Sequence, residues 1–97
     1  MKNIQAIKLL LKKNRKSLQE QFNIKSLGIF GSYSRGNSSP RSDIDMLVKF
    51  SRVPTMFQFI ELERKLSRML GIKVDLVTPN ALKPLIKKDI LEETIFI

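Results

Sequence analysis

The chain has 97 residues, with 18 Lys and Arg against nine Asp and Glu, which gives a formal net charge of +9. This length predicts a single domain over residues 1–97, because single cores are usually built from about 100–200 residues. The chain contains no Cys and no His, which excludes disulfides, thiolate chemistry, the usual zinc ligands and Ser-His catalytic pairs. Catalysis would have to use carboxylates, hydroxyls, Lys or Arg.

The apolar runs are far shorter than the roughly 20 residues of a membrane span, and the N-terminus has no signal-peptide pattern. We therefore expect a soluble, cytoplasmic protein with no membrane partner. The basic excess is mostly N-terminal, since residues 1–28 hold seven basic groups and one acid. Such an excess favours nucleic acids, nucleotide phosphates or acidic protein surfaces as partners, without choosing among them.

The first half of the chain predicts one helix and two strands. Apolar residues recur at helical spacing from Asn3 to Phe22, at Ile4, Ile7, Leu11, Leu18 and Phe22. A short apolar run over residues 25–30 indicates a buried strand that ends at Gly31. Residues 31–42 form a polar stretch rich in turn formers, and residues 43–50 predict the second strand.

The second half predicts a helix, a strand and a helical tail. Thr55 and Gln58 have the spacing of a capping box, and Gly71 is suited to end the helix that they begin. The apolar stripe of this helix is Phe59, Leu62, Leu66 and Met69. Residues 72–77 predict the third strand. The tail from Leu82 is expected to be mainly helical, with Leu85, Ile86, Ile90 and Leu91 buried and residues 94–97 as an alternative short strand.

This order of elements predicts an α/β fold, with a small mixed sheet of three to four strands and helices packed on one face.

Aspartate is normally depleted in strands, yet three of the four Asp residues fall in predicted strands, at Asp43, Asp45 and Asp75. Asp43 and Asp45 are two residues apart, so they project from the same face, roughly 7 Å apart along the strand. Ile44, Met46 and Val48 alternate with them and are expected to pack under the helices. If the second and third strands are neighbours, the three carboxylates converge on one patch.

Converging carboxylates repel one another, which raises their pKa values unless cations neutralise them. Mg²⁺ prefers oxygen ligands and binds through a few carboxylates together with substrate phosphates. Two such ions, roughly 3.5–4 Å apart, can stabilise the attacking and leaving oxygens of a phosphoryl transfer. The alternative is that these Asp residues pair with Arg or Lys on an exposed sheet face.

The loop before the second strand offers groups that bind anions. Gly31 directly follows a strand, where glycine lets a phosphate approach the backbone. Ser32 adds a hydroxyl donor, and Arg35 can pair with phosphate oxygens. An ordinary surface turn would have a similar composition, but this loop lies just before an Asp-x-Asp strand.

The combined pattern Gly31-Ser32-x-x-Arg35-Gly36, followed by Ser42-Asp43-Ile44-Asp45, resembles the signature of the nucleotidyltransferase superfamily related to DNA polymerase beta. The resemblance implies that Gly31 and Ser32 hold the triphosphate of a nucleotide and that Asp43 and Asp45 bind Mg²⁺. Asp75 would complete the site and help to deprotonate the incoming hydroxyl. The implied reaction transfers a nucleoside monophosphate to a hydroxyl and releases pyrophosphate.

The short length resembles the minimal nucleotidyltransferases of the MNT antitoxin class. These proteins pair with a helical HEPN partner, often an RNase toxin, and in some systems transfer AMP to a tyrosine of that partner. The resemblance therefore implies ATP or another nucleoside triphosphate as substrate, a HEPN toxin as partner, a complex with that partner and an antitoxin role.

Two other functions are compatible with the residues. The same fold could neutralise a partner by contact alone, through the basic first helix or the apolar tail from Leu82 to Ile97. Direct nucleic-acid binding would use the basic residues Lys8, Lys12, Lys13, Arg15 and Lys16. It has little support, because single-strand binders usually add stacking aromatics and this chain has no Trp and one Tyr.

Overall fold

The computed structural model describes residues 3–36 and 43–97, and this part of the chain forms five α-helices and four strands. In chain order they are α1 (Ile4–Lys13), α2 (Arg15–Phe22), β1 (Ile24–Phe30), α3 (Ser32–Arg35), β2 (Ile44–Phe50), α4 (Met56–Leu70), β3 (Val74–Val77), α5 (Pro84–Glu93) and β4 (Ile95–Phe96), with a short 3-10 helix at Pro79–Ala81. None of the helices within these residues is long and apolar enough to cross a membrane.

The four strands form one sheet in the order β3-β2-β1-β4. Strand β1 runs antiparallel to both β2 and β4, whereas β2 and β3 are parallel. A parallel pair needs a crossover connection, and α4 provides it between β2 and β3. The predicted α/β fold with a mixed sheet is confirmed. The second and third strands are neighbours, which meets the condition that the sequence left open for bringing their aspartates together.

The first predicted helix is divided at Asn14 into α1 and α2. The Asn14 side chain donates from Nδ2 to the Leu10 carbonyl oxygen at 2.8 Å, and its backbone N–H bonds to the same oxygen at 3.2 Å. An asparagine that bonds to the backbone in this way competes with regular helix geometry. The predicted apolar face nevertheless persists across the break, because Ile7, Leu11 and Leu18 are all buried.

One face of the sheet is covered by the predicted apolar stripes. The side chains of Ile44, Met46 and Val48 are fully buried, as the alternation along β2 predicts. They belong to the same core cluster as Leu62 and Leu66 of α4. This packing leaves the intervening positions of β2, Asp45 among them, directed away from that core.

The predicted capping box at the start of α4 is confirmed. Thr55 Oγ1 accepts a hydrogen bond from the Gln58 backbone N–H at 3.1 Å, and Gln58 Oε1 accepts one from the Thr55 backbone N–H at 3.0 Å. Gly71 ends the helix in the left-handed conformation, with φ 67°. The two caps fix the length of α4 and therefore the point at which the chain turns back toward β3.

The predicted burial of the tail is wrong. Leu85 is 93% exposed, Ile86 and Leu91 are also exposed, and Ile90 is half-buried. No residue of α5 is fully buried. The short terminal strand that was the alternative does form, as β4, and its neighbour Ile97 donates a backbone hydrogen bond to Leu27 at 2.9 Å.

The polar stretch after β1 begins with a helical turn, α3, where the sequence predicts a loop. Residues 37–42, including Ser42 of the motif, lie outside the described residues.

Candidate active site

Asp45 and Asp75 lie side by side on neighbouring strands. The parallel register of β2 and β3 pairs Asp45 with Asp75, between the pairs Ile44–Val74 and Met46–Leu76. These flanking residues are buried in the core, whereas both aspartates are half-buried. The two carboxylates therefore project from the opposite face of the sheet at the same level, as the sequence predicts for adjacent strands.

Asp43 lies immediately before β2 and has a basic partner. Its Oδ2 is 3.8 Å from Nζ of Lys73, whose side chain is 74% exposed. The alternative that an aspartate pairs with an exposed Lys is thus realised at Asp43. An exposed pair at this distance contributes little to stability, so Asp43 remains available to other ligands.

The environment of Asp45 disfavours its ionised form. Burial raises the pKa of the Asp45 carboxyl above its ordinary value, and the negative charges of Asp75 and Asp43 raise it further. Arg35 opposes this rise in pKa, and Glu93 adds to it. A carboxylate that is costly to ionise in the folded protein is typical of a functional site that a cation completes.

Gly31 brings the predicted phosphate loop against Asp45. The preceding residue, Phe30, is paired with Asp45 across β1 and β2. Gly31 has φ 75° and ψ −149°, a conformation that is essentially restricted to glycine. A Cβ atom at this position would overlap the Asp45 carboxylate, with the carboxyl carbon only 3.2 Å away. The backbone of Gly31 and the side chain of Asp45 therefore share one site.

The other two predicted phosphate-binding residues follow on α3. Ser32 is half-buried at the first position of this helix, and Arg35 is exposed at its end. Arg35 Nη1 lies 3.2 Å from Glu93 Oε2, and the backbone N–H of Gly31 donates to Glu93 Oε1 at 3.2 Å. The structure thus joins Gly31 and Arg35 through Glu93, a residue that the sequence patterns do not single out.

Two further residues hold the strand that carries Asp75. Strand β3 is at the edge of the sheet, so alternate N–H groups point away from β2. Ser67 Oγ accepts from the Val74 N–H at 3.0 Å, and Glu63 Oε2 accepts from the Leu76 N–H at 2.9 Å. These α4 side chains bond the backbone on both sides of Asp75. No sequence motif marks them, because the contact depends on how α4 packs along the edge.

The donor chemistry of this site suits a hard divalent cation, since Asp43, Asp45 and Asp75 offer only carboxylate oxygens. Across residues 3–36 and 43–97, however, no group of three or more His, Cys, Asp or Glu side chains is arranged so that it could hold a metal ion. A Mg²⁺ site does not need such a group, because Mg²⁺ is commonly bound by one or two protein carboxylates with waters and substrate phosphates as the other ligands. The residues therefore fit a cation that is bound together with a nucleotide.

Comparison with known proteins identifies the class to which this fold and site belong. The chain matches the family model of the nucleotidyltransferase domain over residues 11–97. The chain therefore belongs to the nucleotidyltransferase domain family and is a transferase.

Its curated relatives are of the same size. A protein of Methanocaldococcus jannaschii, provisionally named a protein adenylyltransferase, is 50% identical over 98 residues, and the match covers 100% of both chains. The protein adenylyltransferase MntA of Thermococcus cleftensis is 40% identical over 97 residues, which cover 100% of this chain and 98% of the relative. The similarity therefore extends over the whole domain.

Solved structures show the same fold. A minimal nucleotidyltransferase superposes with a TM-score of 0.75 at 30% identity, covering 92% of this chain and 93% of the other. A toxin–antitoxin structure with AMP-PNP superposes with a TM-score of 0.72 at 27% identity. The match covers 88% of this chain and 69% of the other. An MNT antitoxin in complex with a tri-AMPylated HEPN toxin from Shewanella oneidensis superposes with a TM-score of 0.66 at 24% identity. The match covers 93% of this chain and 70% of the other, and it shows a similar fold.

The contact between Gly31 and Asp45 predicts that Gly31→Ala is more damaging than Gly36→Ala. Both glycines have φ 75°, but no described atom lies within 4 Å of a Cβ at Gly36. Gly36→Ala should lower the free energy of unfolding by about 1–2 kcal/mol, the cost of a left-handed conformation. Gly31→Ala should cost at least about 1 kcal/mol more, because its conformation is more restricted and its Cβ overlaps Asp45. Urea unfolding of both variants measures the difference, and equal losses would contradict the contact.

The raised pKa of Asp45 predicts that Asp45→Asn stabilises the protein at neutral pH. A carboxyl whose pKa is higher in the folded state disfavours folding once it is ionised. This cost is absent below the unfolded pKa of about 3.9 and fully present above the folded pKa. The Asn variant should therefore unfold at a higher temperature than the parent at pH 7, and the difference should shrink as the pH falls toward about 4. Thermal unfolding across this range, without divalent cations, measures it.

The matched control is Asp89→Asn, which removes a carboxylate from the exposed surface of α5 and should change stability by no more than about 0.5 kcal/mol. If Asp45→Asn destabilises the protein at pH 7, ionised Asp45 is stabilised by its surroundings, and the interpretation of the site is wrong.

Proposed function

We propose that this protein is a Mg²⁺-dependent adenylyltransferase that transfers AMP from ATP to a hydroxyl of a HEPN-type partner toxin and so acts as its antitoxin. The observation that carries the proposal is the register of Asp45 with Asp75, with the backbone of Gly31 against Asp45. This arrangement supports the proposal because it brings carboxylates, which suit a cation, beside N–H and hydroxyl donors, which suit an anion. A metal-bound nucleoside triphosphate carries both charges.

The triphosphate would be held by the loop at the end of β1. The Gly31 N–H and the Ser32 hydroxyl are neutral donors for phosphate oxygens, and the Arg35 guanidinium supplies a charge-assisted one. Gly31 is suited to this role because the absence of a side chain lets a phosphate approach the backbone next to the carboxylates.

Asp43, Asp45 and Asp75 would hold Mg²⁺, as two ions in the arrangement that the family resemblance implies. When bound, the metal supplies positive charge to the phosphate oxygens and to the reacting hydroxyl. The protein would contribute carboxylate oxygens, with the phosphates and waters as the remaining ligands. Half-burial of Asp45 and its neighbouring negative charges favour this binding, because a cation relieves the repulsion between the carboxylates.

In the proposed step, the acceptor hydroxyl oxygen forms a bond to the α-phosphorus of ATP. The bond from that phosphorus to the oxygen bridging the α- and β-phosphates breaks, and pyrophosphate leaves with the bonding electrons. Asp75 takes the hydroxyl proton, and Arg35 stabilises negative charge on the phosphates. The products are an adenylylated acceptor and pyrophosphate, so atoms and charge balance.

The choice of AMP, and of a protein as acceptor, is supported by the relatives. Curated proteins that match this chain from end to end carry the name protein adenylyltransferase. The structure at 27% identity is a toxin–antitoxin with the ATP analogue AMP-PNP. We therefore favour ATP over other triphosphates, and a complex with a HEPN toxin in the cytoplasm as the working assembly.

A second candidate is an antitoxin that blocks its partner by contact alone. The observation in its favour is the uncovered apolar surface of α5, where Leu85 is 93% exposed. Direct nucleic-acid binding stays a weaker prediction. The basic residues that would carry it line α1 and α2, mostly on their exposed sides, at Lys8, Lys12, Lys13, Arg15 and Lys16.

The proposal predicts AMP transfer that depends on the carboxylates. The protein is incubated with Mg²⁺, a HEPN protein encoded beside it, and ATP labelled on either the α- or the γ-phosphate. The α-label should appear on the HEPN protein, and the γ-label should not. Asp43→Asn/Asp45→Asn should reduce the transfer rate by about 100-fold or more, because several kcal/mol of charge stabilisation in the transition state depend on these ligands.

Three controls define the outcome. Asp89→Asn should leave transfer unchanged, and chelation of the metal by EDTA should abolish it. RNase activity of the HEPN protein is measured in parallel. If no label is transferred and the double variant inhibits the toxin as well as the parent does, the protein acts by contact alone and the catalytic proposal is wrong.

A further inference from the structure

Glu93 occupies the donors that are assigned above to the triphosphate. Its Oε1 accepts from the Gly31 N–H at 3.2 Å and lies 3.4 Å from Arg35 Nη1, and its Oε2 lies 3.2 Å from the same nitrogen. The side chain of Glu93 is only 26% exposed, whereas that of Arg35 is 51% exposed. One carboxylate thus bridges a backbone donor and a guanidinium, as a phosphate group would.

The position of Glu93 is set by the close packing of the next residues of the chain against β1. Glu93 is the last residue of α5, and the next residue, Thr94, packs against Gly28 of β1 so closely that a Cβ at Gly28 would overlap the Thr94 methyl group. Gly28 and Ile29 then pair with Phe96 and Ile95 of β4. The backbone beside Glu93 is therefore held on the sheet, and only the side chain has to turn away to release Gly31 and Arg35.

A carboxylate and a phosphate cannot both use these donors fully. The Gly31 N–H has a single hydrogen, and Arg35 reaches Glu93 through one terminal nitrogen. A triphosphate that approached the same donors would also meet the negative charge of Glu93, which already contributes to the raised pKa of Asp45. A phosphate that accepted the Gly31 N–H would thus have to replace Glu93 at that donor, whereas Arg35 has further N–H groups that Glu93 does not use.

We propose that Glu93 competes with the nucleotide: it holds the Gly31 and Arg35 donors when no nucleotide is bound and must be displaced by the triphosphate. This inference rests on the proposed function for the identity of the nucleotide, although the competition itself concerns any polyphosphate. Glu93 therefore lowers the affinity of the site for every anion, and it does so most for the ligand whose phosphate chain carries the most negative charge.

The test measures anion affinity in the full chain by isothermal titration, with inorganic tripolyphosphate and with ATP in the presence of Mg²⁺. Glu93→Gln removes the charge at constant shape and should bind tripolyphosphate about tenfold more tightly than the parent. Glu93→Ala should change affinity in the same direction, so a folding defect in one variant does not decide the result. The gain in affinity of the Glu93 variants over the parent should decrease from ATP to ADP to AMP and should be absent for adenosine.

Glu92→Gln is the matched control. Glu92 is the adjacent residue and is exposed beside Lys87 and Lys88, so the substitution makes the same change in net charge without touching Gly31 or Arg35. Its tripolyphosphate affinity should stay within about twofold of the parent value. A gain in Glu92→Gln as large as that in Glu93→Gln would show a general charge effect and overturn the proposal.

The other outcomes are also decisive. If both Glu93 variants bind tripolyphosphate no more tightly than the parent, or if neither they nor the parent bind it, Glu93 does not guard an anion site and the proposal is wrong. If the Glu93 variants bind tripolyphosphate more tightly but no AMP is transferred to a HEPN protein, the competition stands and the proposed function fails.

Discussion

The parallel pairing of β2 with β3 holds two carboxylates at the same level of the sheet, and the rest of the site depends on it. Like charges directly opposite each other destabilise a sheet. Here the pairs on either side of Asp45 and Asp75 are buried in the core, and Glu63 and Ser67 bond the outer edge of β3. Packing and edge bonding therefore fix a repulsive arrangement. Burial is the main cause of the raised pKa of Asp45, and the negative charge of Asp75 adds to it.

The site contains groups of both signs, and the structure satisfies some of them internally. Lys73 lies beside Asp43, and Glu93 lies on Gly31 and Arg35. A metal-bound nucleotide offers the same two kinds of charge, a cation for the carboxylates and phosphates for the donors. The proposed chemistry and the proposed competition by Glu93 thus follow from one arrangement. In this arrangement, Lys73 and Glu93 occupy positions that the metal ion and the phosphates of the substrate would take.

The predictable parts of the structure are those that local patterns determine. The alternation along β2, the capping box at Thr55 and the Asp-x-Asp spacing each depend on neighbours in the chain, and they predict the core face, the start of α4 and the acids of the site. The roles of Glu63 and Glu93 depend on packing between distant segments, since Glu93 is 62 residues from Gly31. The prediction that the apolar residues of the tail are buried is wrong for a related reason. Apolar spacing in α5 indicates a face that could be buried, but it does not indicate whether another element packs on that face.

The most direct test of the account is whether a divalent cation binds beside Asp45 and Asp75 together with a nucleotide. Mn²⁺ can replace Mg²⁺ as a paramagnetic probe, and amide NMR signals of the isotopically labelled protein report which residues lie near it. We predict broadening of the signals around Gly31, Asp45 and Asp75 that becomes strong when AMP-PNP is added. Broadening that is centred elsewhere, or that is the same without the nucleotide, would contradict the central claim that the paired carboxylates and the Gly31 loop form one site for a metal-bound triphosphate.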